Sequence, residues 1–396
     1  MTTWAWALTL AVSALSGTAV AQRAGPADAG LNPYLAAGGS YDSNLLRLSD
    51  DEESELADKK SDRYATVEAG VDGSFDISRQ RILLDGRIFH NAYEHYDDLD
   101  HTGGRGRLVW KWLLDPHWSG DIGYLYDRRL RDFSNQVVAV PIRDLRTENR
   151  GFLSIARTLG RGFSLGLGAT LADVEFEESS SLDIERQLLS AGLFYETTIG
   201  TRIGFETEFL DGSFKNEDSR DYDEFRGRLI LNWRLSAQNR LDAHIGYAER
   251  DNNDPNKTDF DGITGLIKLT RKGRDRDKLT ASAWRDISTF GDEVANYAVV
   301  EGISVEPEWG VGRSSALRIF AGYENRDYKG FRNIGAPIPD LDPREDDIYT
   351  GSLWFDWRVV EIVTLSFGYT GEIRDSTRDT AEYDFNHIEV KVRVDL

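Results

Sequence analysis

The sequence predicts an all-β fold, a transmembrane antiparallel outer-membrane β-barrel of about 18 strands (16–18). Three observations predict it. Apolar and polar residues alternate with a period of two along most of the chain. The connections between these segments are short and long in turn. Aromatic residues concentrate at the two ends of the segments, where a membrane barrel meets its two interfaces.

The alternation is clearest in two segments of the second half. In residues 199–209 the apolar side chains Ile203, Phe205 and Phe209 share one face, and glutamate, glycine and arginine share the other. In residues 388–396 isoleucine, valines and leucine alternate with acidic and basic residues. A period of two over such lengths indicates strands rather than helices.

The connections divide into two classes that follow each other along the chain. Long charged loops include residues 44–63 and 330–347, and a third at 133–147 contains the apolar run VVAVPI. An even number of strands with both termini on one side fits this pattern. The short turns fall at 77–80, 114–118, 159–163, 197–201, 235–239, 271–277, 309–313 and 358–361.

Aromatic placement distinguishes a membrane barrel from a soluble β-sandwich, because a sandwich gives no reason for tryptophan at one end only. The segments are also close to the roughly 9–11 residues that a tilted membrane strand needs. The tryptophans next to short turns are Trp110, Trp112, Trp118, Trp233, Trp309, Trp354 and Trp357. The aromatics at the opposite ends are Tyr93, Tyr96, Tyr126, Phe133, Phe214, Tyr222, Tyr247, Phe290, Tyr297, Tyr323, Tyr328, Tyr349 and Tyr383.

The N-terminus reads as a secretory signal peptide. Residues 1–21 contain an apolar stretch that ends in Ala19-Val20-Ala21, an A-x-A cleavage pattern, although no Lys or Arg precedes it. The predicted organisation is therefore a signal peptide at 1–21 and a single transmembrane β-barrel at 22–396, in the outer membrane of a Gram-negative bacterium.

Composition excludes several classes of function. The formal net charge is −21, which argues against a nucleic-acid partner. There is no cysteine, so disulfides, thiolate nucleophiles and cysteine-based metal sites are excluded. We predict no cofactor and no metal site.

The alternate, non-apolar face is predicted to line the lumen, which is aqueous at 16–18 strands. Its charges are mixed in sign, so the sequence indicates no field selective for cations or anions. Such a wall would suit a hydrated, polyhydroxylated cargo. The pore-lining candidates are Asp42, Asn44, Arg202, Glu206, Arg226, Arg228, Arg234, Arg318, Asp356, Arg358, Glu389, Lys391 and Arg393.

Two loop clusters raise alternatives. A rim group of His90, His95 and His101 beside Asp98 could activate water, but a solvated loop explains it as well, and we predict no enzyme. Residues 251–262 are rich in carboxylate and amide oxygens, yet they lack the spacing of an EF-hand loop. Adventitious divalent binding there remains open.

The N-terminal segment LNPYLAAGGSYDSN, followed by aliphatic residues and a charged loop, resembles the putative β-barrel porin 2 family, and within it EpsL-like proteins of exopolysaccharide biosynthesis operons. Length and the strand-and-loop layout extend the likeness over the whole chain. One departure is the last residue, Leu396, where barrel proteins usually end in an aromatic. The resemblance implies no catalytic residues.

The resemblance implies an outer-membrane channel that exports an exopolysaccharide, with that polymer, membrane lipid, lipopolysaccharide and a periplasmic polysaccharide export protein as partners. The alternative is a general or small-substrate diffusion porin, and a third hypothesis is an enzyme that uses the rim histidines. Plugging of the lumen by the loop at 133–147 is a further hypothesis. In the first strand we expect Tyr41 outward and Asp42 and Asn44 in the lumen, with the first extracellular loop starting directly behind them.

Overall fold

The computed structural model describes residues 30–49, 59–135, 141–254, 259–273, 276–289, 295–329 and 344–396. Five short 3-10 helices lie in the described loops, at Asp97–Leu99, Phe133–Asn135, Ser180–Leu182, Asp218–Arg220 and Asp379–Ala381. The strands are β1 Gly30–Asp42, β2 Asp62–Ile77, β3 Gln80–Tyr93, β4 His101–Leu113, β5 Trp118–Leu130, β6 Leu145–Gly160, β7 Phe163–Phe176, β8 Ile184–Glu196, β9 Arg202–Phe214, β10 Tyr222–Arg234, β11 Asn239–Asn252, β12 Phe260–Lys272, β13 Lys278–Ser288, β14 Tyr297–Val311, β15 Ser315–Lys329, β16 Glu345–Val360, β17 Val363–Ser376 and β18 Tyr383–Asp395.

These strands form one closed antiparallel sheet. Every strand pairs with its neighbours in sequence, and β1 pairs with both β2 and β18. The closing register runs from Tyr34 opposite Asp395 to Asp42 opposite His387. Closure leaves none of these strands with an unpaired edge, as a membrane requires of β-structure. The predicted fold and the predicted 18 strands are confirmed.

Connections at the two ends of the barrel differ in length as the sequence predicts. At one end they span two to five residues, and at the other six to nineteen. Two of the three two-residue turns, at 78–79 and 161–162, contain left-handed backbone. Arg161 and Gly162 have φ of 53° and 86°, as a two-residue hairpin with positive φ at both central positions demands.

Successive side chains of each strand point to opposite faces of the sheet, so the outer surface of the barrel is apolar and the inner surface is polar. On β9, Ile203, Phe205 and Phe209 are about half exposed on the outside, whereas the intervening Glu206 and Glu208 are buried within the barrel. A lipid-facing band accounts for such exposure of large apolar side chains.

The aromatic residues at the short-turn end lie mainly on the lipid side, where Trp110, Trp118, Trp233, Trp309 and Trp357 are exposed. At the other end the predicted second belt is only partly correct. Tyr247 and Tyr349 are exposed on the outside. Others at the same end are buried because described neighbours pack against them; these are Phe133, Phe214, Tyr222, Tyr328 and Tyr383.

No helix in the described ranges is long and apolar enough to cross a membrane. The predicted signal peptide lies outside the described residues and stays a prediction.

Candidate functional site

Three long loops meet over the outer opening of the barrel. They are L1 (43–61), L2 (94–100) and L3 (131–144). Their apolar side chains form a small buried cluster, here named the mouth core, which half-buried Tyr93, Tyr96 and Leu130 surround. Burial of these side chains holds the loops together across the entrance. The mouth core consists of Leu45, Leu46, Leu48, Leu99 and Phe133.

Polar contacts fold L1 back into the barrel at its first turn. The amide of Asn44 bonds in both directions with the backbone of Leu48, with Nδ2 donating at 2.8 Å and Oδ1 accepting at 2.9 Å. Arg47 donates to both carboxylate oxygens of Asp42 at 3.0 Å, and its guanidinium lies 3.6 Å from the ring centre of Phe385. This turn of L1 places its leucines in the mouth core.

Electrostatic contacts join L1 and L3. Burial alone would lower the pKa of Arg47, but Asp42 and then Asp132 raise it above its usual range. Burial alone would raise the pKa of Asp132, but Arg47 and the backbone N–H of Ser134 hold it below its usual range. Arg374 of β17 donates to the carbonyl oxygen of Ser134 at 2.5 Å, so L3 reaches a distant wall of the barrel.

This arrangement corrects the expectation that the chain enters water directly behind Asp42. Leu46 and Leu48 are fully buried instead, because L1 turns inward and packs on L2 and L3. The plugging hypothesis for residues 133–147 is tested only in part. Phe133 belongs to the mouth core, whereas residues 136–140 of the apolar run lie outside the described residues.

The predicted pore-lining residues lie on the inner face but differ in accessibility. Asp42, Asn44, Glu206 and Arg228 are buried and already hold hydrogen bonds within the protein. Their role in solute passage stays a prediction, as does that of the remaining candidates. Those that are half-buried or exposed are Arg202, Arg226, Arg234, Arg318, Asp356, Arg358, Glu389, Lys391 and Arg393.

On much of the inner wall, cationic side chains contact carboxylates of the same or nearby strands. Arg228 contacts Glu206 at 2.7 Å and Glu208 at 2.5 Å. Arg250 contacts Glu224 at 2.9 Å. Further pairs on the inner wall include Arg226 with Asp286, Arg318 with Asp356, Lys391 with Glu68 and Arg393 with Asp72.

The inner face of β4–β8 departs from this balance and from the mixed-sign expectation. Six arginines meet two carboxylates in its outer half, Asp127 and Glu148, and each carboxylate is shared. Asp127 lies 2.7 Å from Arg105 and 3.4 Å from Arg129. Glu148 contacts Arg146 at 2.5 Å, and also Arg150. This group, the arginine patch, is Arg105, Arg107, Arg129, Arg146, Arg150 and Arg186.

Sequence reasoning missed the arginine patch although a signal was present. Its residues occupy the alternate positions that point into the barrel. The positions between them on the same strands point outward and carry Leu108, Ile122 and Leu153, which are exposed to lipid. Taking the inward positions strand by strand would have shown the excess of arginine, which a list pooled over the whole chain conceals.

Aromatic rings also lie flat against the inner wall where the neighbouring strand offers glycine. Trp284 covers Gly302, where an added Cβ would lie 2.2 Å from the ring. Trp354 covers Gly368 in the same way, at 2.5 Å. Both pairs are directly opposite in register, and glycine is required because any side chain would displace the ring.

The rim histidines take part in separate local contacts. The backbone N–H of His95 donates to Asp62 at 3.0 Å, and Nδ1 of the buried His101 lies 2.9 Å from the carbonyl oxygen of Leu99. His90 is paired with Thr102 at 3.1 Å. In the loop at 251–262, residues 255–258 lie outside the described part of the chain, and Asp259 accepts from the backbone N–H of Asn252 at 2.8 Å.

Comparisons with known proteins agree with the architecture. The family model described as "Putative beta-barrel porin 2" matches residues 189–396, which run from β8 to the C-terminus. Pseudomonas aeruginosa OccK2 (OpdF) is similar in structure, with a TM-score of 0.50 and 12% identity over 92% of this chain and 98% of that one. A second OccK2 structure, in complex with glucuronate, has the same score and identity over 92% and 96%.

The siderophore receptor PirA from the same organism has a TM-score of 0.45 and 8% identity over 93% of this chain and 80% of that one. No curated protein matches the chain. At these identities the structural likenesses speak for the fold alone.

Proposed function

The chain belongs to the putative beta-barrel porin 2 family and is a porin-like β-barrel of the outer membrane; from this premise we propose that it is a channel through which small hydrated solutes diffuse. The observation that carries the proposal is the mouth core, because three loops packed across the opening narrow it for a polymer more than for a small solute. The polar, charged inner wall keeps the path wet, as in barrels of this strand number. OccK2, of similar fold, is known in complex with glucuronate, a small polar solute.

The test is conductance of the purified protein in planar lipid bilayers, together with swelling of liposomes in sugars of increasing size. We expect discrete ion-conducting steps and swelling that falls off between mono- and oligosaccharides. Bilayers that stay silent at protein levels where an unrelated porin inserts would refute the proposal.

A second candidate is export of an exopolysaccharide, with the polymer as cargo and a periplasmic polysaccharide export protein as partner. The observation that favours it is the set of flat aromatic faces on the inner wall, since Trp284 and Trp354 offer rings on which sugars can stack. The YDSN segment of β1 adds support through its resemblance to proteins of exopolysaccharide operons.

Deletion of the gene in its host separates the two candidates. Loss of surface polysaccharide with accumulation of polymer in the periplasm would support export. Unchanged surface polysaccharide together with slower uptake of small solutes would support the diffusion channel.

We further propose that the barrel has no catalytic role. Asp62 is engaged with the backbone of His95 and Tyr96, and Asp100 accepts from the backbone N–H of Tyr93 at 2.7 Å, so these carboxylates serve the loop structure. Replacing His95 and Asp98 by alanine should leave conductance unchanged. A hydrolytic activity of the wild type that this double variant lacks would contradict the proposal.

A further inference from the structure

We propose that the arginine patch makes this channel selective for anions and binds the carboxylate groups of its solutes, an inference that rests on the proposed function. The patch lies on the inner face of β4–β8, near the outer opening. Its solutes are therefore acidic, and they carry carboxylates that guanidinium groups recognise through paired hydrogen bonds.

The patch holds more cationic than anionic side chains. On β9 to β13 the carboxylates are at least as numerous as the arginines they contact, since Glu206, Glu208, Glu224 and Asp286 surround Arg226, Arg228 and Arg250. In the patch, six arginines accompany two carboxylates, Asp127 and Glu148, each shared by two of the arginines, and Asp85 of the adjoining β3 lies opposite Arg107 in the register. The whole chain carries a formal net charge of −21, so its acidic residues are abundant but placed elsewhere.

Among the described residues, neither Asp127 nor Glu148 forms a hydrogen bond or ion pair with Arg107 or Arg186, although Glu148 lies within electrostatic range of Arg186. Arg107 is exposed on the inner face and makes no hydrogen bond or ion pair with the described residues. Nε of Arg186 is shielded from solvent and has no hydrogen-bond partner in the same ranges. A carboxylate of an anionic solute would supply an acceptor to both guanidinium groups.

Arg107, Arg150 and Arg186 lie on one register row across β4, β6 and β8, with Leu125 and Ala172 between them. Adjacent strands are about 4.8 Å apart, so an arginine recurs at roughly 10 Å steps along the row. The inner face of β7 between them is uncharged; it carries Gly166, Gly168, Thr170, Ala172 and Val174.

The uncharged face of β7 leaves room for the arginines of β6 and β8 to share one solute. A carboxylate that leaves one arginine can therefore contact the next before it is fully rehydrated, which favours passage over trapping. Selectivity and transport then arise from the same row of guanidinium groups.

The experiment measures reversal potentials of the full-length mature protein in planar bilayers under a KCl gradient. We expect the wild type to prefer chloride. The double variant R107Q/R186Q should lower the chloride-to-potassium permeability ratio about twofold to fivefold, because each lost charge contributes a screened Coulomb energy across a wet lumen. The matched control R63Q/R271Q removes two exposed, outward-facing arginines and should leave the ratio unchanged.

Carboxylate recognition is tested by block of the chloride current with glucuronate, with short oligouronates and with neutral glucose. Block by glucuronate indicates a small organic acid as solute, and block by oligouronates alone indicates an acidic polymer. The variant R107K/R186K keeps both charges but lacks the planar fork, so it should retain chloride preference and bind uronates more weakly.

Conducting channels that prefer potassium, or a permeability ratio that R107Q/R186Q does not change, would overturn the inference while leaving the proposed channel intact. Chloride preference without block by either uronate would overturn the carboxylate class. Absence of any conductance would count against the proposed function itself. Retention of the heat-resistant folded band of the barrel shows that a silent variant has not simply misfolded.

Discussion

Replacing Leu46 by alanine should open the outer entrance of the channel. Leu46 is fully buried in the mouth core, between the first three long loops. The substitution removes three carbon atoms, each worth about 0.8 kcal/mol of transfer free energy, and leaves a cavity in addition. We therefore expect the free energy that keeps L1 closed to fall by about 3 kcal/mol.

Hydrogen exchange measures this free energy directly, because protected amides exchange through local opening. The amide of Leu48, which is bonded to Asn44 Oδ1, should exchange about 150-fold faster, at tenfold per 1.36 kcal/mol. The strand amides should keep wild-type rates. The channel should also show larger conductance or more current noise, since the loops spend longer away from the opening.

Leu114→Ala is the matched control, because Leu114 is 67% exposed in a short turn at the opposite end. Wild-type exchange at Leu48 in the Leu46→Ala protein would refute the reasoning. It would mean that polar contacts, rather than the apolar cluster, hold L1 closed. Faster exchange with unchanged conductance would mean that L1 does not restrict the path.

Further predictions concern the electrostatic contact between L1 and L3 and the packing of the inner wall of the barrel. The carboxylate of Asp132, whose pKa is held below its usual range, stabilises loop closure above about pH 4, and this contribution is lost as the pH falls through the lowered pKa. Current noise should therefore rise between pH 7 and pH 3, and Asp132→Asn should show the acidic noise level already at pH 7. Arg374→Ala leaves the buried Asp346 without one of its cationic partners, so it should destabilise the folded barrel by about 3 kcal/mol in urea titrations, with an unchanged midpoint as the contrary result. Gly368→Ala forces a Cβ into an indole ring and should cost about 1–3 kcal/mol, whereas Gly351→Ala meets nothing within 4 Å and should be neutral; equal midpoints would contradict the close packing.

The barrel itself was predictable because its physical constraint acts on every second residue. A lipid-facing strand must alternate, and the alternation of Ile203, Phe205 and Phe209 therefore predicts both the strand and its orientation. Each strand lies between two successive connections, so counting the connections predicts the number of strands. Asp42, at the end of β1, and Asn44, in the loop behind it, are buried, and their role as pore-lining residues stays a prediction.

The loops could not be predicted in this way, because their packing follows no period. Leu45, Leu46 and Leu48 stand next to a charged run, and only the contacts with Leu99 and Phe133, which are distant in sequence, explain their burial. Tyr383, expected at the outer lipid interface, is buried instead, against Arg374 and Phe385. Strand alternation alone would have placed the arginines of the patch on the inner face. Their excess of positive charge depends, however, on which carboxylates lie near them in the folded barrel.

The seam between β1 and β18 has a consequence for assembly. Its partners are separated by more than 340 positions along the chain, as Asp42 opposite His387 illustrates, and the backbone N–H of Leu396 donates to Pro33 at 2.9 Å. Contacts between residues so distant in sequence carry the largest loop-closure entropy, so we expect the seam to form late in folding. Until then β1 and β18 each expose a free edge, and a neighbouring unfinished chain could add to either one. The sheet is closed only once β18 has paired with β1.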